Sequence, residues 1–133
     1  MLPLMKFGYT ILYVNSVAET MAFYEQAFGL QQGIMVPTGD YGEMVTGDTK
    51  LAFANSEFVK TIMPVPFNEG SLDKAAPPIE IALVTEEVET AFERALNAGA
   101  TLVKRPESKP WGQLVGYVRD NNGFVVEICS PIE

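Results

Sequence analysis

The stretch YTILYVNSVAETMAFYEQAFG, residues 9–29, decides the fold, because EIALVTEEVETAFERALNAG at residues 80–99 repeats its plan. Each opens with a short apolar run, Tyr9–Val14 and Glu80–Thr85, of strand length. Two polar residues follow, Asn15-Ser16 and Glu86-Glu87. An amphipathic helix comes next. In the first, Val17, Met21, Tyr24 and Phe28 recur at three- and four-residue steps; in the second, Val88, Ala91, Phe92, Ala95 and Leu96 do the same. Ser16, with Glu19 three residues on, has the pattern of a capping box. Gly29 and Gly99 stand where a left-handed helix stop costs little.

Three short strands are predicted after each helix. They are residues 32–36, 41–46 and 50–54 in the first half, and 101–104, 113–118 and 124–129 in the second. Tight turns at Gly47-Asp48-Thr49 and Asn121-Asn122-Gly123 join the last two strands of each set. The whole therefore reads as one α+β domain, residues 1–133, of two tandem βαβββ modules. Module one spans 5–55, a linker spans 56–77, and module two spans 78–133. Pro64, Pro66, Gly70 and Pro77 make the linker a loop with at most short structure.

Composition narrows the chemistry. The chain has 133 residues and no histidine. That excludes histidine as general base, nucleophile partner or metal ligand, and leaves Glu, Asp, Tyr, Lys and Cys. A net charge of −8 with nine scattered Lys and Arg argues against a nucleic-acid partner. No apolar run reaches the length of a membrane span, and the opening residues lack the pattern of a secretory leader. The single cysteine, Cys129, rules out an internal disulfide and fits a reducing compartment. A cytoplasmic protein is expected.

Several motifs resemble the vicinal oxygen chelate superfamily, which includes glyoxalase I, extradiol dioxygenases and bleomycin-resistance proteins. Tyr13-Val14-Asn15-Ser16-Val17 with residues 22–30 is similar to its opening, and residues 87–92 leading to Ala98-Gly99-Ala100 repeat it. Pro110-Trp111-Gly112, residues 119–123 and Val126-Glu127-Ile128 resemble its closing module. The resemblance implies that each module curls into a mixed sheet and that the sheets enclose a cavity. It also implies a homodimer. In catalytic members a divalent metal is held by the first and last strands of each module. Carried over, those positions are Tyr9, Ala52 (Lys50 if the register slips), Glu80 and Glu127. Tyr9 is a poor ligand and Ala52 none. The resemblance thus implies no full metal site and no cofactor, with Glu80 and Glu127 as donors only for a weakly held divalent ion.

Strand alternation supports the same placement from the residues alone. Ile79, Ile81 and Leu83 oppose Glu80, Ala82 and Val84; Val126 and Ile128 oppose Val125, Glu127 and Cys129; Thr10, Leu12 and Val14 oppose Tyr9, Ile11 and Tyr13. If the apolar set packs on the helices, Tyr9, Glu80 and Glu127 face the other side. Tyr9, Tyr13, Ala52, Trp111, Gln113 and Tyr117 are then expected to contact a small molecule, and Glu80 and Glu127 to carry any acid–base chemistry. Three functions compete. One is a binding protein for a small cationic or aromatic molecule. A second is a lyase, isomerase or epimerase using the two glutamates. The third is a non-catalytic dimeric partner module.

Overall fold

The computed structural model describes residues 2–132. β1 (Tyr9–Val14) leads into α1 (Val17–Phe28), then β2 (Gln31–Met35), β3 (Tyr41–Val45) and β4 (Lys50–Asn55). A short helix, α2 (Ser56–Ile62), follows. The second half holds β5 (Glu80–Val84), α3 (Val88–Asn97), β6 (Thr101–Ser108), β7 (Leu114–Arg119) and β8 (Val125–Cys129). The strands form two four-stranded sheets, ordered β1-β4-β3-β2 and β5-β8-β7-β6. In each, the first strand lies parallel to the last and the other pairs are antiparallel. A parallel neighbour needs a long crossover, which the helix and two intervening strands supply.

The helix starts where the sequence placed it, with Ser16 Oγ accepting from Glu19 N–H at 3.2 Å. Each sheet packs one face on a helix, and two glycines show how closely. A β-carbon on Gly42 of β3 would run into Met21 Sδ and stand 3.0 Å from Val17 Cγ1. One on Gly116 of β7 would stand 2.8 Å from the Phe92 ring of α3. The flanking odd-numbered residues of β3 and β7 therefore point away from the helices.

One core joins the halves. It runs from Leu12, Val14, Tyr24 and Phe53 to Phe92, Val118, Val126 and Ile128, with α1 packed on α3. Buried polar groups cross the same boundary. Tyr24 Oη donates to Asp120 Oδ2 at 2.6 Å, and Asn122 Nδ2 donates to Thr20 Oγ1 at 3.0 Å. Asp120 also accepts from the backbone N–H groups of Asn122 and Phe124. Burial pushes its carboxyl above the ordinary aspartate value, and these hydrogen bonds pull it back only in part. From α3, Arg94 donates to the Gln26 and Glu25 carbonyls at the end of α1.

Two differences from the sequence-based expectation concern extent. β6 has eight residues where four were expected, because Arg105–Ser108 continue the pairing with β7 past two irregularities. The linker opens with α2, capped by Asn55 Oδ1, which accepts from Phe58 N–H at 3.1 Å. Its prolines all lie beyond that helix. The remainder of the linker is fastened: Arg119 donates to the Ser71 and Lys74 carbonyls, and Phe67 packs on Tyr13 in a tilted pair with ring centres 4.8 Å apart. Among the described residues no helix is long and apolar enough to cross a membrane.

Candidate functional site: carboxylates and tyrosines on the open sheet faces

The faces turned away from the helices carry the polar chemistry. On the second sheet, Val126 and Ile128 belong to the core, while Glu127 between them faces outward and is half-buried. Its neighbours in register are Ala82 on β5 and Tyr117 on β7. Glu80, exposed at the start of β5, reaches Glu127 within hydrogen-bond range, and this contact is the main reason its carboxyl is pushed up. Partial burial and the Glu127 charge act in the same direction. Tyr117 is raised first by burial, then by the charges of Glu127 and Glu80. The Cys129 thiol, buried beside them, is pushed up to about 11 by burial and then by Glu127. It is a packed hydrophobe rather than a nucleophile.

The remaining residues expected at the site divide between the two sheets. Trp111 is 62% exposed, and its Nε1 donates to Gln113 Oε1 at 2.8 Å. Gln113 is buried and donates to the Ser130 carbonyl at 2.8 Å, so it fixes the loop that presents Trp111. Tyr9, Tyr13 and Ala52 lie on the first sheet. Tyr9 is exposed, Tyr13 is half-covered by Phe67, and Ala52 is fully buried.

The register also relates the sheets to each other. Ile11 pairs with Ala52, as Ala82 pairs with Glu127; Tyr9 pairs with Lys50, as Glu80 pairs with Val125. Ala52 therefore holds the place in sheet one that Glu127 holds in sheet two, without a slip to Lys50. The set Tyr9, Ala52, Glu80 and Glu127 does not fit a transition metal, which takes three or four protein ligands. Among the described residues no three His, Cys, Asp or Glu side chains converge to hold a metal.

Among the described residues, four clefts lie away from this chemistry. A cleft of about 400 Å³ lies between the end of α1 and the start of α3, lined by Phe28, Leu30, Val84 and Arg94 among others. Neither it nor the clefts beside Glu93, Phe67 and Lys50 are lined by Tyr9, Glu80, Tyr117 or Glu127; of the expected contact residues, Tyr13 lines the one beside Phe67. The open faces are instead surface, with Tyr9, Ile11, Val45 and Val84 each more than two-fifths exposed.

A family model described as the Glyoxalase/Bleomycin resistance protein/Dioxygenase superfamily matches residues 6–128. The chain belongs to that superfamily. It is 29% identical over 125 residues to an uncharacterized protein of Mycobacterium tuberculosis (strain ATCC 25618 / H37Rv), a match covering 91% of this chain and 72% of that one. Among solved structures it is similar to a glyoxalase-related enzyme from Fulvimarina pelagi, with 21% identity and TM-score 0.81, covering 96% of this chain and 89% of that one. It is also similar to a glyoxalase/bleomycin resistance protein/dioxygenase family enzyme from Burkholderia phytofirmans PsJN, with 24% identity and TM-score 0.77, covering 95% and 98%. At these identities the structural likeness is one of fold.

Within this superfamily fold, sequence reading missed Glu43. It lies on β3 opposite Ala52, is 9% exposed, and accepts from Tyr41 Oη at 2.8 Å. The signal was available: Glu43 sits mid-strand among Gly42, Met44 and Val45, just as Glu127 sits among Val126, Ile128 and Cys129.

Proposed function

We propose that this superfamily member binds a small cationic, aromatic molecule on its open sheet faces, without a resident transition metal, as a homodimer whose second copy closes the cavity. The Glu80–Glu127 pair carries this reading. Two carboxylates held within hydrogen-bond range resist double ionisation, and a bound cation would relieve that repulsion. Tyr117 stands beside the pair, and Trp111 is presented on the adjoining loop. Aromatic faces next to carboxylates favour an organic cation over a bare metal ion. The exposed apolar residues of the faces support closure by a second copy.

Trp111 is the only tryptophan, so its fluorescence reports on this end of sheet two. Titration with benzyltrimethylammonium should give a saturable change that Glu127→Gln weakens about tenfold, while phenylacetate at the same ionic strength gives none. Equal responses to cation and anion, or an unchanged affinity in Glu127→Gln, would overturn the assignment.

One observation favours a second, acid–base reading. The raised carboxyl of Glu80 suits proton removal next to a carbonyl at a pH where an ordinary glutamate is a weaker base. In that reading Glu80 moves the proton and Glu127 holds it in place.

A further inference from the structure

We infer that the cleft between the end of α1 and the start of α3 is a site for a small aliphatic monocarboxylate, held through Arg94. It is separate from the open sheet faces, since none of Tyr9, Glu80, Tyr117 and Glu127 lines it. Its volume of about 400 Å³ is that of a small-molecule site, and its make-up fits one: apolar walls with a few polar groups. The α3 wall is a single stripe of Glu87, Thr90, Ala91 and Arg94, spaced three and four residues apart. Ala27 and Leu30 at the end of α1, with Leu83 and Ile128 from sheet two, line the rest.

Arg94 supplies the charge. Its Nε donates to the Gln26 carbonyl at 3.0 Å and its Nη2 to the Glu25 carbonyl at 3.2 Å. The guanidinium is thus fixed at two points before any ligand arrives. Among the described residues Arg94 makes no ion pair, and Nη1 donates to no protein acceptor. Nη1 lies over Gly29, where a β-carbon would stand 3.0 Å from it. Glycine therefore leaves that edge of the guanidinium uncovered. An ordered guanidinium with N–H groups to spare suits a carboxylate, because little side-chain freedom is left to lose on binding. The other end of the stripe limits the charge of the ligand. Glu87 stands two helical turns before Arg94, roughly 10 Å along the axis, and makes no capping hydrogen bond. It would repel a second carboxylate. Between the two charges the floor is aliphatic. Thr85 already accepts from the Glu87 N–H at 3.1 Å, which leaves Thr90 as the remaining polar side chain of the lining. A hydrocarbon tail meets no unsatisfied charge there.

The test is NMR of the backbone amides during titration with sodium cyclohexanecarboxylate. The Gly29, Leu30, Thr90 and Ala91 signals should shift saturably. Sodium chloride at equal ionic strength and cyclohexylammonium chloride should leave them in place, and adipate should bind more weakly. Arg94→Gln should weaken binding about tenfold, as expected for a charge-assisted hydrogen bond. Arg94 also fastens α1, so Ala91→Leu is the second variant: it fills the floor, leaves the guanidinium in place and should abolish the shifts. It decides the matter if Arg94→Gln does not fold. Glu127→Gln should bind as the parent does, which separates this site from the open-face assignment. No saturable shift in the parent would leave Arg94 as a cap of α1 alone and overturn the inference. Equal shifts with the ammonium salt, parental affinity in Arg94→Gln or Ala91→Leu, or loss of binding in Glu127→Gln would overturn it too.

Discussion

Replacing Glu80 by glutamine should stabilise the empty protein at neutral pH. Glutamine keeps the shape and a donor toward Glu127 while removing one charge. Two unit charges about 4 Å apart in water-like surroundings repel by about 1 kcal/mol. Glu80 is exposed, so the larger values of a dry interior do not apply. Unfolding 133 residues releases roughly 2.1 cal/mol/K each, or ~280 cal/mol/K in all. A gain of ~1 kcal/mol then raises Tm by about 3–4 °C. The pH dependence follows from the direction of the shift. The Glu80 carboxyl lies above its unfolded value in the fold, so the folded parent is favoured by proton uptake. Its penalty is full above the folded value and absent below about 4.3. The advantage of Glu80→Gln should therefore appear at pH 7 and vanish near pH 4. Thermal melting at both values is the assay. A variant that melts at or below the parent at pH 7 would refute the reasoning, because the carboxylates would then be held by structural hydrogen bonds.

Tyr24→Phe removes the buried hydroxyl that donates to Asp120. It should cost about 2 kcal/mol, typical of a hydrogen bond to a charged partner, and lower Tm by roughly 7 °C; a shift under 2 °C in calorimetry would show that the bond carries little. Sedimentation at micromolar concentration should give a dimer, since the exposed Tyr9, Ile11, Val45 and Val84 need a cover; a monomer would leave the open faces as surface and remove the closed cavity from the proposal.

The sequence carried the architecture because the architecture is written twice. The strand–helix units at residues 9–28 and 80–97 share their apolar spacing, and alternation sorted β1, β5 and β8 correctly into helix-facing and open faces. Extents were harder to read. The outer residues of β6 are mostly exposed, so neither burial nor alternation marks where that strand stops. α2 is short, and the prolines that follow it masked the Asn55 cap. Whether two faces meet around a ligand depends on what covers them, which a single chain's pattern does not encode.

Glu43 was legible by the same mid-strand pattern and was passed over for a different reason. Glu80 and Glu127 drew notice because they fall at positions where the superfamily places metal ligands, on the first and last strands of a module. Glu43 lies one strand further in, at the place that Tyr117 holds in sheet two. The sheets thus carry the same two residue types in different arrangements. Sheet two has Glu127 beside Tyr117 across a strand pair, with Glu80 added. Sheet one has Ala52 where Glu127 would be, and its carboxylate has moved to β3, served by Tyr41 two residues earlier on the same strand. That move separates the two mid-strand carboxylates, Glu43 and Glu127, instead of bringing them to one point. A metal needs convergent donors. Carboxylates on separate sheets, each beside a tyrosine, do not supply that convergence.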